Sequence, residues 1–405
     1  MLALDRSRED FRRRFGGEPR VFRAPGRVNL IGGHLDYNDG WVLPIAIDRS
    51  CYVLARRRRE GRGLRMYSAQ FNEALEFNPG DPQPSLHHWS SYVRGVAWAL
   101  ELLAPPLPGA DLYIDSEVPV GAGLSSSAAL EVAVGLAQLG LAERELKPLA
   151  LAYACQHAEY EYVGMRCGIM DQVAACCGRQ GHALLIDCLH LAAEPIPIDE
   201  SRVRVVVANT MVKHALASSE YNQRRRECEQ VLLLLQDQSG GAGRGLRDIT
   251  WQELDSLSAS WPDTLRRRAR HVTTEMARVH AAVSVLRQAD FESFGRLMFE
   301  SHESLDADYQ VTSPELNTMV AIARTLPGIL GARMTGGGFG GCTVNLVRAE
   351  QAEAFASELA RRYEADTGRR PDVYICRASD GAAEVRPSQL QEQLPGVPPA
   401  GRSMP

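Results

Sequence analysis

The chain has no excess of positive charge, no long apolar run and no cysteine spacing that would cage a metal. A formal net charge of −5 over 405 residues removes the electrostatic ground for a nucleic-acid partner. The arginines are mostly scattered, and Arg56 to Arg59 form a single four-residue cluster that reads as a solvated strand end or turn. No stretch of about eighteen apolar residues is available to cross a bilayer. The opening MLALDRSREDFRRRF is charged within five residues of its start, unlike a cleavable leader. These absences lead to the expectation of a cytoplasmic protein with neither a nucleic-acid nor a membrane partner. The nine cysteines are odd in number and sit in apolar contexts such as CQHAEY, AACCG and LLIDC. Without a CxxC or a Cys/His cluster they read as reduced core thiols, and the adjacent Cys176 and Cys177 offer neither a simple disulfide nor a metal cage.

Residues 118 to 131, VPVGAGLSSSAALE, form a strand-like lead, a glycine-rich turn, three serines and a run of strong helix formers. That order builds an anion site, because backbone N–H groups in the turn and at the open start of the helix converge where the helix dipole favours negative charge. Gly121 and Gly123 let the backbone approach closely, and Ser125, Ser126 and Ser127 add hydroxyls. No lysine lies in this segment, which excludes the GxxxxGK[ST] phosphate loop and the protein-kinase nucleotide fold. Alone, such a turn is equally well an ordinary strand-to-helix connection.

Three further segments carry the argument forward. RAPGRVNLIGGHLDYNDGWVLPIAI, residues 23 to 47, displays Arg27, Asn29, His34, Asp36, Tyr37 and Asn38 between two apolar stretches. CGIMDQVAACCGRQGHALLID, residues 167 to 187, sets Asp171 near the start of an apolar helical stretch and ends in a strand-like HALLID. MTGGGFGGC, residues 334 to 342, has too little side chain to pack a core, so its backbone is in use by a ligand or another chain segment.

Strand-like VFRAP, RSCYVLARR and ADLYIDSEV alternate with helices predicted near 90 to 103, 125 to 140 and 148 to 162, the last with Pro148 in its first turn. VRVVVAN, residues 203 to 209, leads into a second part. There Val272, Met276, Val279, Val283 and Leu286 recur at spacings of four and three, a core stripe without chemistry. SGGAGRG, residues 239 to 245, reads as a surface loop. The closing RPSQLQEQLPGVPPAGRSMP has the composition of a disordered tail.

Together these segments resemble the GHMP small-molecule kinases, and within them the galactokinases. The stretches NTMVKHALASSEYNQRRRECEQ and FGRLMFESHESLDADYQVTSPEL extend the likeness to roughly residues 8 to 385. The resemblance implies an α+β fold with a ribosomal-S5-like N-terminal domain (1–205) and a ferredoxin-like C-terminal domain (206–386), a tail from 387 to 405, and a site in the cleft between the domains. It implies transfer of the γ-phosphoryl of ATP to the anomeric hydroxyl of a sugar. Asp171 matches the family's base, with Arg27 beside it to hold it ionised and to steady charge on the transferring group. How far proton removal precedes phosphoryl transfer stays open, since such transition states can be loose. Ser127 and Glu159 match ligands of Mg²⁺, which takes oxygen donors. Trp89 and Tyr92 match the adenine side, with a core aromatic pair as the other reading, and the glycine run Gly336 to Gly341 either closes over the reacting groups or packs the domains. Sugar and ATP are the implied partners, and a monomer is favoured.

One departure stands in the sugar pocket. Galactokinases read Gly-Glu-His-Thr-Asp-Tyr-Asn where this chain reads Gly32, Gly33, His34, Leu35, Asp36, Tyr37, Asn38. His34, Asp36, Gly168 and Tyr221 match sugar contacts, but the glutamate that grips the 6-hydroxyl is Gly33. A lost charged hydrogen bond is worth about 1.5 to 3 kcal/mol, roughly 10- to 150-fold in affinity. Three readings are open: a galactokinase that tolerates the gap; a related sugar 1-kinase for galacturonate or L-arabinose; or a sugar- and ATP-binding regulator, against which Ser127, Ala128, Ala129, Arg27 and Asp171 all stand intact. The motif itself brings no new cation to pair with a uronate, and one supplied from elsewhere is not legible.

Overall fold

The computed structural model describes residues 2–78, 88–213, 217–238 and 245–386. The tail 387–405 and all but the last residue of the loop 239–245 lie outside the described residues. Three sheets organise the chain. The first contains β1 (Arg20–Asn29), β3 (Pro44–Arg57), β4 (Leu64–Ser68), β5 (Glu73–Phe77), β6 (Ala110–Ser116) and β13 (Ala383–Glu384), in the order β13-β1-β3-β6-β4-β5. Its pairings are antiparallel except β4 with β6. The second is a small antiparallel sheet of β2 (Trp41–Val42), β7 (His182–Asp187) and β8 (Ala192–Pro197). The third orders β9 (Val203–Lys213), β10 (Ile329–Thr335), β11 (Gly340–Arg348) and β12 (Asp372–Cys376) as β10-β11-β9-β12, all antiparallel.

Helix α1 (Leu2–Phe15) covers one side of the first sheet, where Phe11 packs with Val21, Leu54, Tyr67 and Tyr113. The other side carries α2 (Trp89–Leu103), α3 (Ser126–Leu141), α4 (Pro148–His157) and α5 (Met170–Cys177). The sheet's apolar residues on that face and the buried alanines and valines of α3 form one core. The second part adds α6 (Ala217–Gln238), α7 (Trp251–Leu257), α8 (Asp263–Arg287), α9 (Phe291–Ser304), α10 (Pro314–Arg324) and α11 (Ala352–Thr367). Helices α10 and α11 bury Met319, Val320, Phe355 and Leu359 against the third sheet. The stripe expected on α8 is buried at Val272, Met276, Val279, Val283 and Leu286.

Four expectations change. VPV (118–120) is not a strand: β6 stops at Ser116 and a turn succeeds it, because Pro119 has no N–H to extend a ladder. The helix expected to run to 162 is α-helical only to His157, and then a π-helical turn, Ala158–Val163, carries Glu159. Arg56 is not merely solvated: it bonds Asp111, whose fully buried carboxylate is held from its other side by Arg65. Finally, β13 brings residues 383–384 back to the edge of the first sheet, where Arg20 pairs with Glu384 at 2.7 Å. The nine cysteines are all free, and seven of them are buried.

Candidate active site

A break in β1 begins the site. The register slips between Pro25 and Arg27, and such a bulge re-aims the side chain that comes after it. At Gly26 a Cβ would stand 2.7 Å from the carbonyl of Leu124, so the glycine-rich turn can lie directly on the strand. Arg27 donates its N–H to that same carbonyl and its Nη1 to the carbonyl of Gly123 at 2.7 Å. Its Nε and Nη2 grip Asp171 in the first turn of α5, both at 2.7 Å. This parallel two-bond pairing is the strong geometry for a guanidinium and a carboxylate. Arg27 is 5% exposed, while the Asp171 side chain keeps 24% exposure to the cleft. The two residues are 144 apart in sequence.

Ser125, just before α3, adopts a left-handed conformation (φ 58°). Its hydroxyl does not cap the helix but donates to Asp171 Oδ2 at 2.5 Å. The first-turn N–H groups of α3, at Ser126 and Ser127, are therefore left for another acceptor, as an anion site requires. Gly121 and Gly123 both have positive φ, 70° and 80°. Against this turn lies the run Gly336–Phe339 between β10 and β11. At Gly336 a Cβ would come within 3.1 Å of the Gly123 carbonyl, and at Gly338 (φ 82°) within 2.2 Å of the Val311 carbonyl. Phe339 N–H bonds that Val311 carbonyl at 2.7 Å. The glycine run is thus a backbone-to-backbone seam between the two parts, and Thr335 Oγ1 ties it to Asn29.

Behind Asp171 is a buried acidic group. Gln172 Nε2 donates to Glu159 at 2.7 Å and to Glu131 at 3.0 Å, and the Cys167 thiol also faces Glu159. Burial, then the negative charge of Asp171, pushes the Glu159 carboxyl up to about 7, while the Ser127 hydroxyl bonds it and opposes the shift. Glu131 is pushed up by burial and then by Glu159, and its Oε1 has no partner. Glu131 was not among the residues expected here, although a lone acid inside the apolar face of α3 is a visible signal. Trp89 is 7% exposed, gives its indole N–H to Glu73 at 2.6 Å and stacks on Phe71 at 6.4 Å. Tyr92 sits one turn along, its phenol pushed up by burial and then by Glu159.

On the other side of Asp171 are the residues matched to sugar. Asp36 is pushed up to about 6 by burial and by Asp171, with Arg27 pulling the other way. At Gly168 a Cβ would stand 2.1 Å from Asp36 Oδ2, so only glycine admits this carboxylate. His34 (φ 61°) shares a 2.9 Å hydrogen bond between Nδ1 and the Tyr37 hydroxyl, while its buried Nε2 has no partner. Burial first, then the His271 imidazole and the guanidinium groups of Arg333 and Arg224, holds that imidazole well below its usual range. Tyr221 packs on His34 and Tyr37, with ring centroids 5.6 and 5.4 Å away. Tyr309, from a π-helical turn (Leu305–Tyr309), bonds Tyr37 at 2.8 Å. Leu35 is fully buried in the core.

The stripe on α8 was expected to be inert, yet the same helix supplies polar groups to this end. Glu275, fully buried, accepts from the N–H groups of Gly32 and Gly33 at 2.9 and 3.1 Å. His271 Nε2 contacts the Gly33 carbonyl at 3.1 Å. Gly33 also faces Arg333 of β10. A carboxylate flanked by Val272 and Val279 on one helical face is the signal that would have found Glu275.

Comparison with known proteins extends over nearly the whole chain. Residues 9–57 match the family model described as a galactokinase galactose-binding signature, 91–179 the GHMP kinases N terminal domain and 282–365 the GHMP kinases C terminal. A galactokinase of Roseiflexus sp. is 46% identical over 95% of this chain and 98% of its own. The galactokinase of Homo sapiens is 42% identical over 94% of this chain and 96% of its own. Among solved structures, Lactococcus lactis galactokinase complexed with galactose superposes with a TM-score of 0.89 at 34% identity, covering 95% of this chain and 100% of that one. Mevalonate kinase of Methanococcus jannaschii shares the fold with a TM-score of 0.66 at 19% identity. With near-complete coverage at such identity, the chain belongs to the galactokinase family of GHMP kinases.

Proposed function

We propose that the protein transfers the γ-phosphoryl of ATP to the anomeric hydroxyl of D-galactose, with the cleft between its two parts as its site. The observation that carries this reading is the Arg27–Asp171 pair beside the uncapped start of α3. The exposed edge of the Asp171 carboxylate takes the proton of the attacking hydroxyl as the bond from oxygen to phosphorus forms and the bond to ADP breaks. Arg27 fixes the direction of that carboxylate and brings positive charge to where the transferring group passes. The Ser125 hydroxyl steadies the same carboxylate. N–H groups of the 121–127 turn hold phosphate oxygens. Trp89 and Tyr92 flank the adenine.

At the other end, Asp36 accepts hydrogen bonds from ring hydroxyls. These favour its ionised form against the burial that pushes it up to about 6. His34, through its unpartnered Nε2, and Tyr221 supply the remaining wall.

Glu159 and Ser127 fit Mg²⁺. The Ser127 hydroxyl already bonds the buried Glu159 carboxyl, beside which the buried Glu131 Oε1 has no partner, and Mg²⁺ is commonly held by one or two carboxylates together with substrate phosphates. Such an ion would neutralise phosphate charge. ADP release from the purified protein with D-galactose, measured beside Arg27→Met, tests the reading. Sugar-dependent release that the variant lacks is expected, and release without sugar, or undiminished in Arg27→Met, would overturn it.

A further inference from the structure

The space opened by Gly33 is not empty of charge. Arg333 is 1% exposed, and its Nε and Nη1 have no hydrogen-bond acceptor. The facing carboxylate, Glu275, stands 3.9 Å from Nη1. That carboxylate is already engaged by Arg278 at 2.7 Å, by the Ser301 hydroxyl at 2.6 Å and by the Gly32 and Gly33 amides. His271 and His302, the other titratable groups at this spot, are both held down to about 4 by burial and are neutral at pH 7. Two guanidinium groups therefore face one carboxylate, and the more deeply buried of the two is the one left short of acceptors. A buried cation in that position calls for a counter-charge.

The Nη2 side of the same guanidinium lies against the backbone of residue 33. A Cβ built on Gly33 would stand 2.4 Å from Arg333 Nη2, with Leu305 next at 3.2 Å. Any side chain at position 33 would thus run straight into this guanidinium, and a carboxylate there would neutralise it. Glycine leaves that role to something else. Gly33 directly precedes His34, whose buried Nε2 has no partner and whose imidazole feels the charge of Arg333.

We propose that the counter-charge is carried by the substrate: the Gly33–Arg333 end of the sugar pocket is a carboxylate subsite, and the protein binds and phosphorylates the galacto-configured hexuronic acid as well as galactose. A guanidinium is suited to this, since its planar fork matches a carboxylate with two parallel bonds. The C6 carboxylate takes no part in the reaction. The anomeric oxygen still bonds phosphorus, ADP still leaves and the proton still goes to Asp171. The inference rests on reading this cleft as the sugar site.

Titration calorimetry of the wild-type protein with D-galacturonate, its uncharged amide and D-galactose reads the subsite without needing turnover. The acid is expected to bind at least about tenfold more tightly than the amide, the scale of one charged hydrogen bond. Gly33→Glu, which supplies an internal carboxylate, should lower kcat/KM for galacturonate relative to galactose by about 10- to 100-fold. Equal binding of acid and amide by the wild-type protein overturns the proposal, and so does galactose affinity that climbs with chloride concentration while the acid gains nothing. If Gly33→Glu does not fold, as read from its thermal melt, the acid-to-amide comparison decides. Binding of galacturonate without turnover of any sugar would refute the kinase reading and the phosphorylation of the acid, and leave only the carboxylate subsite standing.

Discussion

Replacing Asp171 by Asn removes one proton acceptor while keeping size and shape, and the contacts of this side chain set the scale of the damage. The carboxylate holds two bonds from Arg27 and one from Ser125. Breaking a fully buried ion pair costs about 3 to 5 kcal/mol. Here the Asp171 side chain is 24% exposed, the Asn oxygen can still accept from Arg27, and Gly123 still takes Nη1. The loss of stability should therefore be about 1 to 3 kcal/mol, visible as a melting shift of several degrees. The chemistry suffers more. Loss of the general base is worth about 10²- to 10⁴-fold in kcat, and a loosened Arg27 moves the result toward the larger figure. Stopped assays of ADP and sugar phosphate give kcat, and fluorescence titration gives affinity for a non-hydrolysable ATP analogue. That affinity should be unchanged or slightly improved, because a negative charge near the γ-phosphate is gone. If the two residues act as one unit, the double variant with Arg27→Met should be about as slow as the slower single variant. A kcat for Asp171→Asn within about tenfold of wild type would refute the base assignment.

The remaining tests address other parts of the site. Glu159 binds a proton up to about pH 7, and a metal must displace that proton, so apparent Mg²⁺ affinity with an ATP analogue should weaken by about tenfold per pH unit below 7. A flat profile from pH 6 to 8 would remove Glu159 as a ligand. Gly338→Ala forces a Cβ to within 2.2 Å of the Val311 carbonyl at a φ of 82°; a loss of about 2 kcal/mol or more, with kcat and melting temperature falling together, is expected. Trp89→Phe removes the bond to Glu73 and should raise KM for ATP severalfold without changing KM for galactose. Equal changes in both constants would make Trp89 a core residue only.

Legibility in the sequence tracked physical locality. The strand VFRAP, the helix at Pro148 and the glycine turn before α3 are set by neighbouring residues, and they appear close to where periodicity put them. The glycine run of 334–342 declared that backbone was in contact with something, and the partner proved to be the turn around Gly123 and the carbonyl of Val311. Groups brought together from far apart were legible only where a family pattern named them, as with Arg27 and Asp171. Arg333 shows the limit. It lies beside a recognised motif, but nothing local says that it reaches Gly33, 300 residues earlier, across two sheets. Glu275 and His271 were hidden for the opposite reason. The apolar stripe of α8 explained the helix so well that the two polar residues within it carried no evident task.

The central claim is a specific bond made at a specific carbon. Phosphorus NMR of the product formed from ATP, Mg²⁺ and D-galactose by the purified protein tests it most directly, because phosphorus on the anomeric oxygen couples to the single C1 proton. A doublet from galactose 1-phosphate, absent when Asp171→Asn replaces the wild type, is the predicted result. A triplet from phosphate on the C6 oxygen, or ATP consumed with no sugar phosphate formed, would contradict the account.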